Sequence, residues 1–539
     1  MRKVLCFLAC LVLGTGLIHA QSVTSGALAG DILDANGDPI PGVRVLATAL
    51  DTGKTYGTVT DASGQFRIPN VKPGMYKVDA SLAGFQSHTW QDVTVRLGER
   101  TFLEVALGLA AAEGEIVVVG ESSPLISPTK MGVASSVSQG SIEALPSLDR
   151  SIYDFARTNP VFSTFSPGVS DGDVLSVSGR NNRYNNIQID GSVNNDVFGL
   201  AATGTPGGQT ATQPIQLDAV QELQLVTSSF DVRQGGFTGG AVNVITKSGS
   251  NSFRGAVFGY YSDENMVGNP EEVGEFGTFE DTEYGFSLGG PIMRDKLFFF
   301  VNYGHRGYDA PTGFSLDGSS GQAWQSGNYE QEAQDFRDYT IATYGYDPGG
   351  LGEVTRERPS DKLFARVDWN INPSNTVYGR WNYVDGSNVI IRPNSGFYNW
   401  PNNAYDIQIE TNSLVGQWDA IFGDNAFNEL RVTYQTIRGP RVGVGDRFPS
   451  LRIEDIGGGS ADWQAGTEAF STYNSLDQDI WELTNDFTFF MGNHEIVIGT
   501  HNEFYSFDNL FIQNGFGSYY FDSLEDFYDG IAYRYEYTY

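Results

Sequence analysis

Four histidines follow residue 20: His88, His305, His494 and His501. Imidazole is the side chain best suited to proton transfer and metal ligation near neutral pH. None of them sits in an HExxH pattern, and His494 and His501 are seven residues apart, on opposite faces if one strand holds both. No phosphate-cradling G-x-x-x-x-G-K loop is present, and no recognisable motif pairs the many carboxylates. DANGD (34–38) begins like a calcium loop but lacks the remainder, including the closing Glu, and reads as a turn. Both cysteines, Cys6 and Cys10, lie in the first twenty residues, so the rest of the chain has no thiolate chemistry. These spacings predict no enzyme, no cofactor and no metal site. One short run stands out instead: Glu115, Ile116, Val117, Val118 and Val119, flanked by Glu113 and Glu121. An extended, β-branched segment of this kind can add as a strand to the edge of a partner's sheet.

The compartment narrows the choice of partner. Residues 1–20 carry Arg2 and Lys3, an apolar run over 4–13 and a small-residue exit at Ala20, the order of a secretory signal. The run is shorter than the roughly 20 residues a membrane helix needs. Without Arg2 and Lys3, 31 of the 33 basic residues face 65 acidic ones, a formal net charge of −34, which excludes nucleic acid as a partner. No later stretch is long and apolar enough for a membrane helix, so insertion would have to be as a barrel. The 65 glycines, 27 tyrosines and 35 phenylalanines, with few helical patterns, predict a mainly β exported protein.

Over 24–107, short alternating runs at 28–32, 43–47, 55–60, 65–69, 76–82, 93–97 and 102–107 are separated by turn sequences such as NGDPIPG (36–42) and DASG (61–64). They predict a small antiparallel β-sandwich. The signatures Gly37-x-Pro39-Ile40-x-Gly42-Val43, Thr60-Asp61-x-x-Gly64-x-Phe66, Pro73-Gly74-x-Tyr76 and Gly84-Phe85 resemble the carboxypeptidase regulatory-like domain, a non-catalytic family.

From 251 onward the pattern has a period of two. Leu363, Ala365, Val367, Trp369 and Ile371 alternate with Phe364, Arg366, Asp368 and Asn370, and 376–383, 414–422, 429–434, 481–490 and 495–504 behave alike. Short connections (292–295, 372–375, 423–428, 491–494) strictly alternate with long ones (262–282, 308–360, 386–407, 439–479). That is the pattern of an antiparallel transmembrane barrel with tight periplasmic turns and long outer loops. Trp381, Tyr383, Trp418, Tyr434 and Trp481 suit its interfacial girdles.

Between them, 122–250 reads as a compact α+β domain. Short helices are expected within 142–160, with Leu148, Ile152 and Phe155 on one face and Pro160 as the stop. Ser178-Gly179-Arg180, Ile189-Asp190-Gly191, the run 215–226 and the glycine-rich exit from Gly235 to Gly249, leading into Phe253-Arg254-Gly255, resemble the plug domain of TonB-dependent receptors. With the N-terminal domain and the loop pattern, the chain is similar to their Oar-like branch. The resemblance implies an outer-membrane receptor of a Gram-negative-type bacterium, its N-terminal domain in the periplasm. The implied partners are TonB with its inner-membrane energising complex, outer-membrane lipid and an extracellular ligand. It also places 115–119, within the linker 108–121, in the position of the TonB box, and makes Gly179, Arg180, Asp190 and Gly191 the plug motif. The same branch is implicated in adhesion, cell-surface assembly or export, the alternative to import. Nine or ten strands are expected by Tyr539, against 22 in the receptor family. A ten-stranded barrel cannot hold such a plug, so 251–539 is expected to be the N-terminal part of a larger barrel. YRYEYTY (533–539) imitates a terminal barrel strand.

Overall fold

The computed structural model describes residues 24–110, 133–147, 150–165, 173–229, 231–267, 278–319, 329–394, 396–423, 425–458, 461–491 and 494–539. The leader at 1–20, the run at 115–119 and Leu148 lie outside the described residues.

The N-terminal domain is a sandwich of a three-stranded and a four-stranded sheet around Leu28, Val45, Phe66, Tyr76, Val78 and Trp90. It is not wholly antiparallel. Gly26–Asp34 pairs parallel with Arg100–Leu107, because the chain crosses between sheets before returning beside its first strand. The family signature has a local cause: Asp61 Oδ1 accepts the Ser63 and Gln65 N–H groups, Gly64 takes φ 75°, and Phe66 enters the core. DANGD is likewise a turn, with Asp34 Oδ1 accepting from Asn36 N and Asp38 N.

The second domain has a five-stranded mixed sheet, in which Asn186–Ile189 runs parallel to Ala241–Thr246. Of the helices expected within 142–160, Ile152–Ala156 falls inside that range, and a second, Gln139–Ala144, begins before it. Its apolar core includes two side chains of the third domain, Phe300 and Phe364.

That third domain is one curved antiparallel sheet in chain order. Its nine long strands are Arg254–Asp263, Glu280–Met293, Leu297–Pro311, Ser360–Asn372, Asn375–Ile390, Tyr405–Phe422, Ala426–Gly443, Ser475–Met491 and His494–Leu510, with short Thr355–Glu357 added to the third. Among the described residues the first and last strands do not pair, so this is an open wall around the second domain. The first strand has 10 residues, and the other eight, at 13 to 18, exceed the roughly 9–11 that cross a bilayer. No helix among the described residues is long and apolar enough to do so.

The faces are inverted relative to a soluble sheet. Arg366, Asp368, Arg380, Gln417, Arg431, Thr433 and Glu482 are buried toward the plug, whereas Val367, Trp369, Leu414, Trp418 and Trp481 are exposed on the outside. Apolar residues face outward because lipid, not water, is the solvent there. The register aligns Trp381, Leu414, Tyr434 and Trp481 in one row across four strands. Beyond that row, away from the tight turns, outward positions become polar (Glu410, Asn412, Asp477, Asp479) and inward ones become isoleucine (Ile407, Ile409, Ile437, Ile480). The row therefore marks the outer interface, and the strands continue beyond it.

Above the wall, the long loops build a module of their own. Its sheet runs Phe397–Asn399, Asp462–Ala465, Ser450–Ile453, Ser518–Phe521, Arg534–Glu536, covered by helices Glu330–Tyr344 and Leu524–Asp529. Trp400, Trp463, Phe336 and Phe527 fill its core. The YRYEYTY stretch thus contributes an edge strand of the loop module, pairing Arg534 with Tyr520, rather than a strand of the wall.

Candidate functional site

The plug domain meets the wall at one point above all. Asp190 (φ 49°) and Gly191 (φ 74°) form the two-residue turn joining Asn186–Ile189 to Ser192–Val193. Both central residues take positive φ, as in a type I′ hairpin turn, which Asp-Gly tolerates. The turn is pushed between three wall arginines. The Asp190 carboxylate is 3.1 Å from Arg380 Nε and 3.4 Å from Arg366 Nη1, and it accepts the Thr246 N–H and hydroxyl. Arg380 also donates to Ile189 O, while Arg431 and the Tyr378 hydroxyl donate to Asp190 O. A Cβ on Gly191 would stand 2.3 Å from Arg431 Nη1, so the guanidinium needs glycine there. Arg366 is held in turn by a bidentate pair with Asp368 and lies over the Tyr378 ring.

The seat continues as a ladder of polar contacts. Thr433 meets Ser192, Glu482 accepts Val193 N–H, Gln435 donates to Asn194, and Asn382 donates to Pro214 O. From below, Lys72 of the N-terminal sandwich reaches Asp368 at 2.8 Å and Ser248 at 3.1 Å. Burial pushes the Lys72 ammonium below its ordinary pKa, with Asp368 opposing that shift.

Of the sequence-derived plug motif, Asp190 and Gly191 lie at this seat. Gly179 and Arg180 do not: they close the turn after Val174–Val177, where Arg180 N–H bonds Val177 O and the Arg180 side chain is exposed. The wall arginines and Lys72 were not singled out by motif. Their signal was present, since a charged residue at an inward position of a membrane strand needs a partner inside. Two stretches, Gly168-Val169-Ser170-Asp171-Gly172 and Gly285-Phe286-Ser287-Leu288-Gly289, match the G-x-S-x-G spacing of a hydrolase nucleophile elbow. The first lies outside the described residues; the second sits within the wall strand Glu280–Met293, whereas an elbow leads from strand into helix.

At the opposite end, above the girdle, a cavity of about 330 Å³ separates the plug apex from the wall. Phe198, Leu200, Ile409, Ile437, Phe470 and Phe511 give it apolar walls, and Asp196, Gln209, Arg441 and Gln478 supply polar groups.

Residues 245–350 and 349–538 match the outer membrane beta barrel domain, and 27–108 the carboxypeptidase regulatory-like domain. The chain belongs to the outer-membrane β-barrel family. It is similar to the TonB-dependent transporter Oar of Myxococcus xanthus, 29% identical over 309 residues, which are 54% of this chain and 28% of that protein. Among solved structures it resembles the outer membrane transporter YddB from Escherichia coli (TM-score 0.50, 15% identity, 72% of this chain and 50% of that one). The siderophore receptor PirA from Acinetobacter baumannii is also similar (TM-score 0.43, 15% identity, 69% and 47%). The chain thus spans about half of the solved structures and just over a quarter of the curated relative. Its place is the outer membrane.

Proposed function

We infer that the protein is a TonB-dependent receptor that takes up an extracellular ligand. Ligand enters the cavity between plug apex and wall, and force relayed by TonB through Glu115 to Val119 displaces the plug. The observation that carries this reading is the polar character of the plug seat. Two wall phenylalanines, Phe300 and Phe364, enter the plug's apolar core, but the contacts around its inserted turn are polar. A plug held by Asp190 among Arg366, Arg380 and Arg431 can be released, because water resolvates each group as it separates. Deletion of 113–121 tests the coupling. Compounds co-purifying with the protein are identified by mass spectrometry, then offered in labelled form to cells carrying the wild-type or deleted chain. Surface binding should persist and energy-dependent uptake should cease; unchanged uptake refutes the coupling.

A second reading, adhesion or surface assembly, is favoured by one feature. The loop module has a core of its own (Trp400, Trp463, Phe336, Phe527), more than a ligand lid needs. Loss of cell–cell adhesion with normal uptake in a deletion strain would favour it.

A further inference from the structure

The sandwich under the plug is not a passive appendage. Among the described residues, the wall residues it touches lie in the halves of the strands nearer the tight turns, and its contacts run from the first wall strand to the last two. Arg254 pairs with Asp51 at 2.8 Å, Lys54 Nζ donates to the carbonyls of Asn372 and Pro373 at 2.9 Å each, and Arg67 lies over Phe490. The same domain also grips the plug: Lys72 donates to Ser248, Gln221 to Pro73 O and Gln224 to Leu97 O. Lys72 does both at once, because its second acceptor, Asp368, belongs to the wall and is the carboxylate that holds Arg366 against Asp190.

We propose that the N-terminal sandwich is a clamp on the plug, bridging it to the wall through Lys72 and Lys54, so that the plug is freed only when the sandwich leaves the mouth. A free sandwich would hold both ammonium groups in water. Docking strips that water, and Lys54 receives two backbone carbonyls in exchange. Burial pushes its pKa down to about 8, with the Asp419 carboxylate opposing that shift. Coupling of this kind is reciprocal: whatever weakens the seating of the plug must weaken the docking of the sandwich, though not its internal fold, by the same factor.

The gating role rests on the transport reading, but the clamp can be tested without TonB or ligand. Hydrogen exchange is followed on the full chain in detergent micelles. In Lys72→Met with Lys54→Met, the plug strands Val220–Ser228 and Ala241–Thr246 should exchange at least about tenfold faster, while Arg44–Ala49 of the sandwich and the wall strands stay protected. Beyond residue 20 the chain has no cysteine, so Asp51→Cys and Arg254→Cys can be joined by a short bismaleimide. That bridge should return plug exchange to within about threefold of wild type. A lysine variant in which the sandwich loosens and the plug does not, or in which neither changes, overturns the clamp. If that variant does not fold, the bridge is placed in Asp190→Asn instead, where it must slow plug exchange; no slowing overturns the clamp equally. A confirmed clamp with TonB-independent uptake would remove the transport reading and leave this one standing.

Discussion

Asp190→Asn is the most informative single change. Asparagine keeps the size of the side chain and accepts positive φ as readily as aspartate, so the turn at φ 49° persists. Its amide oxygen can still accept the Thr246 N–H. What disappears is one negative charge, 2% exposed, facing Arg380 at 3.1 Å and Arg366 at 3.4 Å. Removing one partner of a buried ion pair costs about 3–5 kcal/mol, chiefly because the other charge is left uncompensated. Here the lower end applies. Arg366 keeps its bidentate pair with Asp368, and Arg380 keeps the Ile189 carbonyl. About 3 kcal/mol is roughly 100-fold in the equilibrium between seated and released plug. Hydrogen exchange on Ala241–Thr246 reads that equilibrium directly, with the wall strands Tyr405–Phe422 and Ala426–Gly443 as internal controls. Arg380→Gln in the same chain removes the orphaned charge and should recover at least about 1 kcal/mol relative to the sum of the single changes. Plug exchange within about threefold of wild type in Asp190→Asn, or strict additivity in the double variant, would refute the view that this charge cluster holds the plug.

Other consequences are simpler to state. Gly191→Ala forces a side chain to φ 74° against Arg431 and should cost about 1–3 kcal/mol of plug stability, read as a lower denaturant midpoint for the plug alone. Val432→Arg, between the Trp418 and Tyr434 rows on the outer face, should cost about 2–4 kcal/mol on folding into bilayers, whereas Thr436→Arg, above the girdle, should cost at most about 1 kcal/mol. The Arg337 guanidinium holds the Asp347 carboxyl below its ordinary value of 3.8, so that pair's contribution is complete above pH 3.8 and fades as pH falls through the depressed value. Protease sensitivity of the loop module should therefore be flat from pH 7 to about 4.5 and rise only below that. Val118→Pro should abolish TonB-dependent uptake with surface binding intact, and Val118→Ile should leave both unchanged, because only proline removes the strand-pairing N–H.

The lower halves of the wall strands were legible because period-two alternation and the alternating loop lengths both follow from one solvent boundary. The upper halves were not. Beyond the Trp481 row the outward residue becomes Asp479 and the inward one Ile480, so the rule that finds a membrane strand changes sign within a single strand. The loop module was missed for another reason: Phe336, Trp400, Trp463 and Phe527 come from separate loops and meet only in three dimensions. Part of it could have been read, since Ala333, Phe336 and Thr340 lie on one helical face and Gly345 ends that helix at φ 68°. Alternation in YRYEYTY imitates a barrel strand, but alternation does not say which sheet a strand joins, and Arg534–Glu536 joins the loop module. At the seat, Asp190 and Gly191 were legible as a motif, whereas their arginine partners lie 176, 190 and 241 residues further along the chain, a separation at which no sequence spacing carries information.

That separation explains why a movable plug should be held by charge. An apolar interface is non-directional, so a plug seated on one could settle at many rotations with similar energy. Asp190 has a single place where it meets Arg366 and Arg380 while Arg380 and Arg431 both reach the backbone of its turn. Displaced by a few ångströms, it faces uncompensated guanidinium groups, and the gain on return is steep and local. Water entering the gap screens the same charges, so the resistance to release falls as release proceeds. The seat is therefore specific when dry and weak when wet, and a pull that admits water at one edge, such as the mouth covered by the N-terminal sandwich, removes more resistance than its own work supplies.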